Sequence, residues 1–479
     1  MRKIFMFALT LGMLSMVSCD DELEQVPYNA VIEEQAFVTE SDFTNAIRGA
    51  YQALRLDDYY GGQDAGSMII TPDILADNLI INSQGRRSQQ NFFLFNYTAN
   101  DTWQMWSDAY TAILRVNTIL DNIDNLEDGE FKENIRAEAL AIRGLAHFDL
   151  LRTYAERYAG ATSEDLGVPY VTTTDPNLLP SRTPLPEAYA MVVDDLQAAE
   201  SSINKFNGVG RLNLSAVEAL LGRVYLYMEE WQNVVDMSTA AIENAPETRD
   251  LATLSEFPLI WLDAIEEEVL FKVRILDSDN TPVGVGYGQA SPSGVRPEYS
   301  PTFELVNLYT EDDVRKDVYI GQTTFNGQQF NYIKKYEGRP SGNANVVDVK
   351  VIRLSEVYLN LAEAYFNLGM EAEALAALNK LRSNRYASFD ASTANESGQG
   401  LYDAILLQRR LELAFEGHRF YDLKRLGLPV ERSTSGDAIN GSGLPPGVGG
   451  IPMGSHLFAL PIPQAELDVN PNIEQNEGY

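Results

Sequence analysis

The stretch RRLELAFEGHRFYDLKR, Arg409 to Arg425, sets Glu412, Glu416, His418, Arg419 and Asp422 within eleven residues. Carboxylates and an imidazole this close together can share acid and base roles in a hydrolytic reaction. Glu412 and Glu416 are four apart, which places them on one helix face. Arg409 and Arg410 stand about one turn before Glu412, and Arg419 lies near Glu416. Acids neutralised in this way read as a charge-paired structural network rather than as a catalytic centre.

The remaining chemistry is sparse. The three histidines, His147, His418 and His456, show no metal-ligand spacing, and there is no CxxC pair. The run DSDNT from Asp277 begins like a calcium loop but lacks the glycine at its sixth position and the glutamate at its twelfth. GVGYG, from Gly284, lacks the strand–helix setting of a phosphate cradle. A glycosidase needs two placed carboxylates, and no local motif supplies them. No cofactor is expected, and the chain is expected not to be an enzyme.

Cys19 is the only cysteine in 479 residues, so it has no intramolecular disulfide partner. It closes a run that begins with Arg2 and Lys3 and continues through the uncharged, mostly apolar Ile4 to Val17. That run is shorter than the roughly 20 residues a bilayer-spanning helix needs. A basic start, a short apolar core and small residues near its end are the marks of a secretory signal. LSMVSC resembles a bacterial lipobox, with Ser18 before the cysteine to be acylated. Met16 departs from the usual leucine. The acids that follow, DDE, resemble the signal that sends Bacteroidetes lipoproteins to the exterior of the outer membrane. The organisation expected is a leader over 1–18, a lipid-anchored tether over 19–35, and one folded domain over 36–479.

The formal charge is −33, or −35 once Arg2 and Lys3 are removed with the leader. Such a surface repels nucleic acid and anionic lipid. Hydrophobic residues make up 45%, which is ordinary for a globular protein and enough for a large core.

The elements that position these residues are mostly helical. The strongest periodicity is a repeat. Leu221, Gly222, Tyr225, Val234 and Ala241 align with Leu361, Ala362, Tyr365, Ala374 and Leu381 at a constant offset of 140. Large, small, tyrosine and then a small or apolar residue is the tetratricopeptide pattern of paired antiparallel helices. Further helices are expected from Asp101, Glu133, Pro184 and Tyr402. The second is rich in Ala and Gly, as suits a helix packed on several sides. Residues 57–100 and 277–345 lack helical period, apart from a short piece near Glu304 to Tyr309, and are rich in Gly, Asn, Gln, Ser and Tyr. EVLFKVRI and LFALPIP read as short strands. STSGDAINGSGLPPGVGGIPMGS reads as a long loop.

Four stretches together resemble the SusD/RagB family of outer-membrane nutrient-binding lipoproteins. They are IRAEALAIRGLAHFDLLRTY, RLSEVYLNLAEAYF, QRRLELAFEGHRFYDLKRLG and the terminal LFALPIPQAELDVNPNIEQNEGY. The lipobox-like stretch stands where the family has one. RTYAERYAG departs slightly, since a glycine commonly follows its first tyrosine. The resemblance implies a mainly α fold of four tetratricopeptide-like hairpins, with long irregular loops and a few short strands. It also implies capture of a glycan at the cell surface, with the lipoprotein acting as a lid over a SusC-like TonB-dependent transporter. The RagB branch implies peptide capture instead.

Sugar recognition asks for flat rings against C–H patches and planar polar groups against hydroxyls. The irregular segments 57–100 and 277–300 are expected to converge on one face, and the resemblance implies a glycan site on loops of this kind. Tyr60, Trp103, Tyr287 and Tyr299 are the expected stacking rings. Asp73, Asn82, Arg86 and Arg296 are the expected hydroxyl partners, while Trp106 is expected in the core.

Overall fold

The computed structural model describes residues 36–62, 66–246, 249–279 and 281–479. The expected leader, the tether and Cys19 lie outside them.

Ten helices carry the scaffold: α1 (Glu40–Ala53), α2 (Met105–Asn122), α3 (Glu130–Tyr154), α4 (Leu185–Glu200), α5 (Leu214–Met228), α6 (Trp231–Asn244), α7 (Leu354–Asn367), α8 (Glu371–Arg382), α9 (Gly398–Glu412) and α10 (Arg419–Arg425). α1 opens on a capping box between Thr39 and Asp42 and buries Phe43, Ile47 and Ala50 along one stripe. α3 packs between α2 and α4. Its small residues, from Ala137 to Ala146, are buried, and a Cβ at Gly144 would come within 2.9 Å of Leu196 on α4.

The repeat gives the hairpins α5–α6 and α7–α8, and α6 also packs on α7, so the two units stack. Gly222 faces Ser238, whose Oγ would stand 3.2 Å from an added Cβ. The turns keep the 140-residue register. Glu229 and Gly369 occupy equivalent left-handed positions, at φ 60° and 76°.

Eight short strands occupy the irregular regions: β1 (Leu79–Ile81), β2 (Val269–Val273), β3 (Gly288–Ser291), β4 (Gly294–Pro297), β5 (Tyr299–Pro301), β6 (Ile320–Phe325), β7 (Gln328–Ile333) and β8 (Val349–Arg353). All pair antiparallel, as β1–β5, β2–β8, β3–β4 and β6–β7. EVLFKVRI supplies β2. LFALPIP does not form a strand. It makes one 3-10 turn, His456–Phe458, and then runs extended, with Leu460 N donating to Thr153 O. Pro461 and Pro463 remove the donors that a ladder would need. The long Gly/Pro loop is closed by a two-residue ladder, Val430–Glu431 against Gly450–Ile451.

The acids of the 409–425 stretch are ion-paired, but not with the partners their spacing suggests. α9 ends at Glu412, and the left-handed Phe415 and Gly417 turn the chain away, so Glu416 leaves the helix face. Glu412 accepts from Arg315, Arg353 and Arg385. Glu416 pairs with Arg353 and Lys335, and Glu268 with Arg353 and Arg385. Arg409 instead binds Asp422, and Arg419 binds Asp77. Burial alone would raise the Glu412 pKa, but the guanidiniums of Arg385 and Arg353 hold it well below the usual carboxylate range. Glu412→Ala should destabilise the protein by about 3–5 kcal/mol, because three buried cations lose a shared counter-charge. The urea midpoint of the purified variant measures this, and an unchanged midpoint would contradict it.

Candidate functional site

The two irregular segments meet. β1 pairs with β5 in the register Leu79–Pro301, Ile80–Ser300 and Ile81–Tyr299. Beyond the ladder, the loop that follows β1 is held by one buried carboxylate. Glu298 is 1% exposed and accepts from Arg86 N at 2.6 Å and Ser88 N at 2.7 Å. Arg296 Nε donates to Gln84 O at 2.6 Å, and Tyr299 OH to Ser88 O at 2.6 Å. The outer side of this arrangement exposes Arg87 and Gln289, with Arg86 and Arg296 partly exposed beside them.

A third segment joins the face. The β6–β7 turn brings Asn326 Nδ2 to Gln84 Oε1 at 2.9 Å and leaves the Phe325 ring half-buried. Asn326 and Gly327 have φ of 49° and 78°, the left-handed pair of a tight hairpin turn. The Asn-Gly dipeptide within FNGQQF signals this hairpin in the sequence, but the expected face was confined to residues 57–100 and 277–300.

Arg86 and Arg296 lie on the face. The other six expected contacts lie beneath it, in the core. Tyr60 is 3% exposed and donates to Asp149 Oδ2 at 2.8 Å. Trp103 is 1% exposed, with Nε1 donating to Asp58 O at 2.7 Å. Tyr287 and Tyr299 are fully enclosed. Asn82 bonds Ser300 Oγ at 2.9 Å and caps Gln84 N. Asp73 accepts from Tyr287 OH at 3.0 Å and Gly417 N at 3.2 Å. In this structure these side chains are taken up by contacts within the protein. A loop rich in backbone polar groups needs internal anchors, and these residues supply them. Trp106 is in the core, as expected, packed edge-on against Tyr154.

Chemistry elsewhere is structural in its contacts. His147 is stacked on Tyr170 at 3.8 Å, donates through Nδ1 to Arg143 O and accepts from Val171 N through Nε2. Burial pushes its pKa down to about 3. Asp277 and Asp279 are engaged by Asn343 N and by Arg55. Among the described residues, no group of three or more His, Cys, Asp or Glu side chains is placed to hold a metal ion. An apolar cleft of about 370 Å³ lies against Trp261, and a polar one of about 580 Å³ opens beside Tyr386 and Phe389.

Comparison with known proteins gives consistent matches. Residues 294–479 match the SusD family, and residues 23–226 match the family described as starch-binding and associating with the outer membrane. SusD-like protein P2 of Formosa agariphila is 27% identical over 531 residues, spanning 100% of both chains. Starch-binding protein SusD of Bacteroides thetaiotaomicron is 31% identical over 145 residues, 30% of this chain and 24% of that one. The crystal structure of a candidate sugar-binding protein of Bacteroides vulgatus is 30% identical with a TM-score of 0.82, covering 93% of this chain and 99% of that one.

Asp73 is a carboxyl enclosed beneath the face. Burial pushes its pKa up to about 7 despite the bonds from Gly417 and Tyr287. The folded pKa lies above the unfolded value near 3.9, so the folded state holds the extra proton and stability falls as pH rises between the two values. Asp73→Asn removes that loss. Its stability advantage over the wild type should open between about pH 4 and pH 7 and stay constant above. Urea midpoints at pH 5 and pH 8 would contradict this if the difference between the two proteins were equal at both.

Proposed function

The chain belongs to the SusD/RagB family, and on that premise we propose that it captures a glycan at the cell exterior and passes it to a partner transporter. The observation that carries this reading is the face built on Glu298. It offers planar guanidinium and amide groups with a half-exposed ring, and all stand on loops fixed from below. Planar polar groups can each bond two neighbouring hydroxyls, and fixed loops lose little entropy on binding. The role is binding rather than hydrolysis, since Glu412, Glu416 and Asp422 are engaged in buried ion pairs.

Association with the outer membrane is supported by the N-terminal family match. The finer proposal is a lipid on Cys19, a tether over 19–35 and a single domain over 36–479 that sits as a lid on a SusC-like TonB-dependent transporter. Among the described residues, no helix is long and apolar enough to cross a membrane. Acyl chains contribute about 0.8 kcal/mol per buried CH₂, so two or more give stable anchoring.

A second reading has one observation in its favour. The expected stacking rings are buried, and Phe325 is the ring left at the face. Peptide capture, as in the RagB branch, needs fewer exposed rings. Polysaccharides that retard the protein in native gels separate the two readings. With such a polysaccharide, Arg87→Ala combined with Phe325→Ala should weaken binding about thirtyfold, at roughly 1 kcal/mol for the ring and a similar contribution from the charged bond. The melting temperature should be unchanged. Equal retardation of the variant and the wild type would place the site elsewhere. Retardation by no polysaccharide, with saturable binding of a peptide mixture, would favour the second reading.

Anchoring has its own test. Cys19→Ala should release the protein from outer-membrane fractions and remove it from detergent extracts that yield the wild type together with a transporter-sized partner. Unchanged membrane retention of the variant would contradict the lipid, and repeated recovery of the wild type alone would contradict the partner.

A further inference from the structure

In a chain of net charge −33, three arginines converge on one cleft of about 630 Å³. Arg410, Arg419 and Arg432 line it beside Asp77, Thr302 and Ser433. Arg419 is engaged, holding Asp77 through two bonds at 2.7 and 2.8 Å. Arg410 donates through Nε to Asn78 Oδ1 at 2.8 Å and approaches Asp77 only to 3.7 Å. Arg432 is 6% exposed, and its guanidinium carbon stands over Phe93, 3.9 Å from the ring centroid. Its Nη2 donates to Ile74 O at 2.9 Å, but Nε and Nη1 have no acceptor among the described residues.

Buried guanidinium N–H groups without an acceptor carry an uncompensated desolvation penalty. The remaining acids at the cleft do not relieve it. Glu304 is bonded to Ser435 Oγ at 2.6 Å, and Glu431 faces solvent. Burial pushes the Arg432 pKa down to about 9, and burial with repulsion from Arg419 lowers that of Arg410. Burial is the largest cause of both shifts, and Asp77 acts against it in each. The cleft and the candidate face sit at opposite ends of β1. Asn78 O accepts from Thr302 N at the start of the strand, and Asn82 begins the face at its end. Three strand residues separate them, about 10 Å.

We propose that the cleft between Arg410 and Arg432 binds the anionic group of an acidic sugar, a uronate carboxylate or a sulfate half-ester, with the Thr302 hydroxyl as a further donor. Guanidinium forks match both oxyanions. The inference rests on the glycan reading, and names the class of glycan.

The test is calorimetric titration of the detergent-solubilised full-length protein with sodium glucuronate and with sodium sulfate, against sodium chloride at equal ionic strength. One or both should bind saturably in the millimolar range, and the preference between them identifies the group. Arg410→Gln and Arg432→Gln should each weaken binding about tenfold, while Arg274→Ala, at an exposed arginine outside the cleft and the candidate face, should leave it unchanged. If Arg432→Gln fails to fold, Arg410→Gln carries the comparison. Heats no different from chloride, as when water alone fills the cleft, would overturn the proposal, and so would undiminished binding by Arg410→Gln. Retention of a neutral polysaccharide with neither anion bound would sink the cleft and leave the glycan reading intact. Anion binding without retention of any polysaccharide would do the reverse.

Discussion

Glu412 is the point on which the two halves of the molecule depend. It accepts from three guanidiniums that arrive from separate parts of the chain: Arg315 within the irregular region, Arg353 at the end of β8 and Arg385 after α8. A charge in a low-dielectric interior is tolerated only with its partners in place. Helical scaffold and irregular region must therefore assemble together. The constraint extends toward the candidate face. Just past Glu412, Phe415 O accepts from Tyr336 OH at 2.8 Å, and Gly417 N donates to Asp73, which also holds Tyr287. Tyr287 leads directly into β3. The loops of the face thus stand on the same buried polar network that closes the core.

This explains how a candidate binding face can be built from loops. Loops alone lose conformational freedom when a ligand orders them. Here Glu298 fixes two consecutive turns of the 82–90 segment, Arg296 fixes Gln84, and Asn326 fixes it again from a third segment. The planar polar groups that remain at the surface are carried by backbone that these bonds hold from below.

The helical scaffold was legible in the sequence because its signals are local and periodic. The 140-residue repeat set both hairpins, and even the left-handed turn positions Glu229 and Gly369 follow it. The convergence of the two irregular segments was legible as well. Which side of the loops each aromatic faces was not. A tyrosine that anchors a loop from beneath and one that stacks on a sugar have the same neighbours in sequence, and Tyr287 and Tyr299 turned out to be anchors. The ion-pair partners of Glu412 were equally hidden. They come from 27 to 97 residues away, while the adjacent Arg409 and Arg410 bond elsewhere.

The central claim is that ligand meets the outer side of the Glu298-pinned loops and not the rings below them. Amide hydrogen exchange with and without a retarding polysaccharide measures this most directly. Protection should gather in residues 84–90, 289–296 and 325–328, with amides around Tyr60 and Trp103 unchanged. Protection confined to the polar cleft near Tyr386 and Phe389, or spread through the core around Tyr287 without the surface loops, would contradict it.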